Sequence, residues 1–138
     1  MFFYLCLFIF GCSSSDNFGH SENSCGPNDA PATSFTIGVE EFGSCGDIPS
    51  STSSVEVFLF SVPQNSGQEF VMGSDGLAYR TDESGDTTVT EGTFILDWEG
   101  EWGNETSYSG SYSFQLENGE SLDDSFEGTH CMVFLACG

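Results

Sequence analysis

Residues 107–117 read SYSGSYSFQLE. Tyr108, Gly110, Tyr112, Phe114 and Leu116 fall on one side, and Ser107, Ser109, Ser111, Ser113, Gln115 and Glu117 on the other. Successive side chains of a strand point to opposite faces, so this alternation predicts a strand with one buried and one wet face. It is incompatible with the 3.6-residue period of a helix. Gly110, inside the run, predicts a bulge or a close backbone approach. Asn118-Gly119 then predicts a type I′ turn that pairs the strand with residues 120–127. GTFILDW, at 92–98, alternates likewise through Phe94, Leu96 and Trp98, and EGEWGNE joins it to 107–117 as a hairpin. The nearly continuous apolar run at 55–62 predicts a central strand, with further strands over 34–41, 68–73, 76–81 and 130–136. Gly, Ser, Thr and Asn interrupt every stretch long enough for a helix. The expectation is an all-β fold, an antiparallel β-sandwich or small β-barrel of about eight short strands.

Charge narrows the function classes. The chain carries 22 acidic residues against one basic residue, Arg80, for a formal net charge of −21. Phosphate recognition needs clustered Lys and Arg, so nucleic acid is excluded as a partner. Electrostatic docking on anionic lipid is excluded for the same reason. Self-repulsion favours a soluble monomer. The 14 Phe, 4 Tyr and 2 Trp separate the chain from acidic disordered tails, which lack a core.

Residues 1–10, MFFYLCLFIF, form an uncharged apolar run about half the length of a membrane-crossing helix. That length fits the apolar region of an export signal. The Ile9-Phe10-Gly11-Cys12 segment that follows resembles the lipobox of bacterial lipoproteins: an aliphatic residue, a variable one, a small one, then the cysteine that receives lipid. The resemblance implies a signal peptide over 1–11, cleavage after Gly11, and a covalent lipid on Cys12; no cofactor is expected beside this lipid unless the acidic loop of Asp82, Glu83 and Asp86 takes Ca²⁺. The Ser- and Asn-rich composition that follows predicts a polar tether over 12–24, anchored through that lipid, ahead of an acidic β domain over 25–138. Ser13 directly after the cysteine resembles the pattern that sorts such proteins to the outer rather than the inner membrane of the bacterial cell envelope. Residues 92–131 loosely resemble small cysteine-containing β-rich lipoproteins, a likeness that lends no active site.

With Cys6 in the signal and Cys12 lipidated, Cys25, Cys45, Cys131 and Cys137 remain. Four cysteines in an exported domain predict two disulfides. A strand over MVFLA would hold Cys131 and Cys137 roughly 20 Å apart, whereas bridged Cα atoms lie about 5.5 Å apart. The C-terminal pair is therefore expected to cross to Cys25 and Cys45.

Three groups of residues are candidates for a site. Asp97, Glu99 and Glu101 stand two apart, as paired carboxylates for glycoside hydrolysis would. Trp98, Trp102 and Tyr108 could form an aromatic platform for sugar rings, with Trp102 in the turn and Trp98 on the core face of its strand. Asp82, Glu83 and Asp86 form an acidic loop that could take Ca²⁺, although the EF-hand spacing fails: Thr87 stands where glycine is needed and Thr93 where the bidentate glutamate is needed. His20 falls in the tether and His130 at a strand end, so no nucleophile–histidine–acid constellation is expected. Arg80 is expected in a local ion pair. The expected role is that of a non-catalytic envelope lipoprotein, not an enzyme, whose partner beyond the membrane is a glycan or an envelope protein.

Overall fold

A computed structural model of the chain describes residues 17–26, 30–39, 45 and 53–133. Eight strands follow one another without a helix among these residues: β1 Phe18–Cys25, β2 Pro31–Val39, β3 Ser54–Leu59, β4 Gln68–Val71, β5 Gly76–Asp82, β6 Gly85–Trp98, β7 Ser107–Leu116 and β8 Ser121–Cys131. The sheet order is β4-β6-β5-β3-β2-β1-β8-β7, and a further β6–β7 ladder closes seven of these strands into a barrel. β4 is the extra strand, paired with the C-terminal half of β6.

The long strand β6 makes this closure possible. Its first residues, Gly85 to Thr88, pair with β5, and Val89 to Trp98 pair with β7 on the opposite edge. Every ladder is antiparallel except one: β1 lies parallel to β8, from Phe18 beside Glu127 to Glu22 beside Cys131. The strictly antiparallel expectation is corrected here, and of the two expected architectures the structure adopts the barrel. Its first and last strands run the same way, so no hairpin could have joined them.

The interior is filled with side chains. Phe35, Phe70, Phe94 and Phe126 are almost wholly buried. The Phe94 ring stacks on Phe126 with centroids 5.4 Å apart and meets the edge of Phe35 at 5.1 Å. A barrel of this size has just enough room for side chains to fill it. The alternation of β7 is realised as expected: Tyr108, Tyr112, Phe114 and Leu116 point inward while Ser107, Ser109, Ser113 and Gln115 face solvent. At Gly110 a side chain would collide with the Phe126 ring, so the close approach expected there is present.

β1 reverses one expectation. The stretch assigned to a tether over 12–24 becomes, from Phe18 onward, a strand of the barrel wall. Its inward residues are Gly19 and Ser21, both buried, and they lie beneath large partners rather than supplying apolar bulk themselves. Tyr108, Gly128 and Gly19 form one cross-strand row. The tyrosine hydroxyl lies 3.3 Å from where a Gly19 side chain would begin. At Gly128 an added Cβ would overlap the Gly19 carbonyl, so the parallel seam closes at this row because Gly128 lacks a side chain.

Three smaller corrections follow. The expected strand over 130–136 is instead the end of β8, and residues beyond 133 lie outside the described part. The strand expected at 92–98 begins seven residues earlier, at Gly85. Between β7 and β8, Leu116 N–H donates to Glu120 O, and Gly119 N–H donates to Leu116 O. Gly119 has φ 95°, whereas Asn118 is not among the residues with positive φ. A type I′ turn requires positive φ at both central positions, so this is the three-residue alternative, with glycine at the left-handed position.

Candidate functional site

The chain between β6 and β7 folds back over one end of the barrel and carries Trp102 into it. Trp102 stacks on Tyr108 with centroids 5.6 Å apart, meets Trp98 edge-on at 5.1 Å and lies 4.6 Å from the His130 ring. Trp98, Trp102 and Tyr108 are thus brought together as expected, but they face inward. Trp98 is 8% exposed and Tyr108 4%, and Trp102 packs against the same core. Stacking a sugar ring on an aromatic platform requires that platform to have an open face. These three rings seal the barrel end instead, which corrects the platform expectation. The missed signal was the apolar pairing partner: Trp98 lies directly across from Tyr108, so a turn between them returns over the core.

Beneath this seal lies a polar group that the sequence did not reveal. Ser21 Oγ and His130 Nδ1 share a 2.8 Å hydrogen bond, and both residues are buried. His130 stands at a strand end as expected, next to the last residue of β8, but buried, and the place of His20 in a tether is corrected, since it lies on β1. Burial, together with the nearby His20, pushes the His130 imidazole down to about 4. Burial holds the Tyr108 phenol well above its ordinary value; its hydroxyl approaches Ser21 without completing a hydrogen bond, and the Trp102 indole N–H also finds no partner among the described residues. The Ser21–His130 pair is buried, and among the described residues no carboxylate bonds its imidazole.

The depressed imidazole makes a prediction. The folded state refuses a proton that the unfolded chain binds, so stability is complete above pH 6.5 and falls as the pH drops toward 4. The expected loss is roughly 2–3 kcal/mol across that window. Urea unfolding of the parent and of His130→Gln at successive pH values should show this window in the parent alone. Parallel pH profiles would refute the assignment.

On the outside, a shallow concavity of about 560 Å³ lies over β6, β7 and β8, lined by Asp97, Glu99, Ser107, Ser109 and Glu127 beside the edges of Trp98 and Tyr108. Ser109 is its floor, paired with Asp97 on one side and Glu127 on the other. Farther along β7, Ser113, Gln115, Glu91 and Asp123 border a second depression of about 450 Å³. The wet face of β7 is therefore a hydroxyl-bearing lane between flanking carboxylates. Of the three acids proposed for glycoside chemistry, Asp97 and Glu99 line this lane, and Glu101 does not.

Asp82, Glu83 and Asp86 lie at the β5–β6 hairpin, but the structure commits two of them to local partners. Asp82 accepts hydrogen bonds from Ser84, which lower its carboxyl below the usual range, and Asp86 accepts one from Thr81. Among the described residues no group of three or more His, Cys, Asp or Glu is placed to hold a metal ion, and Asp82, Glu83 and Asp86 do not form one. Arg80 pairs with Asp82 as a local partner, and its Nη2 also donates to Glu120 at 2.9 Å, far along the chain.

Cys45 and Cys131 form a disulfide, with Cα atoms 5.5 Å apart, at the sealed end of the barrel. Cys25 is disulfide-bonded as well. Cys12 and Cys137 lie outside the described residues. No helix among the described residues is long and apolar enough to cross a membrane. The fold and its site thus define a small, solid, mixed β-barrel with a disulfide-pinned end and an acidic outer lane. Comparison with protein-family models, curated proteins and solved structures finds no significant match to this chain.

Proposed function

We propose that the chain is an exported lipoprotein of the bacterial cell envelope, held to a membrane by lipid on Cys12, with a barrel that acts by binding rather than by catalysis. The observation that carries this reading is the Cys45–Cys131 disulfide, a bond that persists in oxidising compartments and is rare in the cytosol. It stands beside the apolar start and the Ile9-Phe10-Gly11-Cys12 lipobox. The place of β1 gives the anchor a geometric meaning. Five steps of chain separate Cys12 from Asn17, a reach of at most about 17 Å. The barrel therefore rides close to the bilayer surface rather than on a long stalk. Acyl chains supply the attachment that a charge of −21 denies to the protein surface.

Palmitate labelling and mass spectrometry of the protein made in bacterial cells test this reading. The expected result is an acylated amino-terminal Cys12, loss of residues 1–11, and no label in Cys12→Ala. An intact Met1 with an unmodified Cys12 thiol would overturn it.

A glycan is the binding partner favoured by the outer lane, where the Ser107 and Ser109 hydroxyls stand with the Asp97 and Glu127 carboxylates in one concavity. Such groups hydrogen-bond sugar hydroxyls without an aromatic platform. Glycan-array binding that disappears in Glu127→Ala would support this partner, and silence of the parent across arrays would remove it.

A further inference from the structure

Six asparagines occur in the sequence, and Asn118 alone precedes a glycine. It sits exposed at the tip of the β7–β8 turn, where Gly119 presents no side chain to shield its neighbour. The side chain of Asn118 is held at both ends by one residue. Its Nδ2 donates to Glu120 Oε1 at 2.8 Å, and its Oδ1 accepts from Glu120 N–H at 3.0 Å. The same Oε1 accepts from Arg80 Nη2, the only cationic side chain in the sequence. Arg80 belongs to β5, so a strand from elsewhere in the barrel steadies the carboxylate that steadies the amide. Charge-assisted bonds of this kind are the stronger ones.

We infer that Asn118 is a site of spontaneous covalent modification, and that the Arg80–Glu120–Asn118 clasp sets its rate. The Gly119 backbone nitrogen attacks Asn118 Cγ, forming a new C–N bond and a five-membered succinimide. The Cγ–Nδ2 bond breaks and the nitrogen leaves as ammonia, carrying the proton lost from Gly119. Water then opens the ring at either carbonyl, to aspartate or isoaspartate. The reaction consumes one water and needs no oxidant or reductant.

Two features of the fold oppose the first step. Gly119 N–H is engaged by Leu116 O, which keeps its proton in place, and both polar ends of the Asn118 amide are tied to Glu120. Once it occurs, the product matters to the hairpin. Isoaspartate adds a carbon to the main chain of a three-residue loop whose geometry fixes the β7–β8 register. Either product also adds a carboxylate beside Glu120.

The test is peptide mapping of the full, disulfide-intact chain during incubation in mildly alkaline buffer. Conversion is expected at Asn118 ahead of every other asparagine, with isoaspartate as the main product. Glu120→Ala, with folding verified by circular dichroism, should convert several-fold faster, and Arg80→Gln should fall between it and the parent. The urea-unfolded chain supplies the upper limit. Conversion beginning at another asparagine, or equal rates in the parent and both folded variants, overturns the inference.

Discussion

Replacing Cys45 and Cys131 together with alanine should lower the unfolding free energy by about 4–5 kcal/mol. The bond joins positions separated by 86 residues, so it closes a loop spanning most of the barrel. In the chain-entropy account such a cross-link acts on the unfolded chain, by forbidding its most expanded states. Two measurements check this together. The urea midpoint should fall, and the dependence of stability on denaturant should steepen, because the variant's unfolded state exposes more surface. A lower midpoint at unchanged steepness would place the effect in the folded barrel instead. The folded candidate there is the contact between Cys45 and the end of β8, next to His130 and the Trp102 seal.

Phe94→Ala should cost about 3–5 kcal/mol, the range for removing a buried aromatic ring. The position is central in a specific sense. Its ring stacks on Phe126, meets Phe35 edge-on and lies 6.4 Å from Phe70, so one side chain links β6, β8, β2 and β4. The walls cannot collapse into the space, because a closed sheet resists contraction and its diameter is set by strand number and stagger. Phe94→Leu should recover most of the loss, since it restores apolar volume but not the ring pairing. Urea unfolding of the three proteins separates these terms. A Phe94→Ala loss below about 1 kcal/mol would show that the core repacks.

How much of this was legible in the sequence depends on where each strand hides its inward side. β7 carries its own apolar bulk at every second residue, so its limits and both faces could be read directly. β1 could not be read that way. Its inward positions, Gly19 and Ser21, are small because Tyr108 and His130 fill that part of the barrel from other strands. A polar, serine-rich octapeptide then looks like a linker. The first half of β6 was obscured differently: Asp86, Thr87 and Thr88 are wet on the turn side, and their pairing to β5 leaves no apolar periodicity. The Cys131 crossing to Cys45 is found, although the extended strand beyond Cys131 from which it was expected is absent at Met132 and Val133. The rings at 98, 102 and 108 were correctly grouped by type, but which way they face depends on where the β6–β7 loop turns, and that is a tertiary fact. The outer lane needed the register of three strands, which no single segment encodes.

The parallel seam between β1 and β8 has a consequence for the order of events as the chain is made. The first wall segment to leave the ribosome waits for the last, because its partner ends at Cys131 and nothing earlier can occupy that edge. Until then β1 pairs with β2 alone and the Phe94–Phe126 stack has only one of its members. Closure is therefore expected only once residues 121–131 are available, and a chain stopped before residue 121 would lack both the closing strand and the cysteine that pins it.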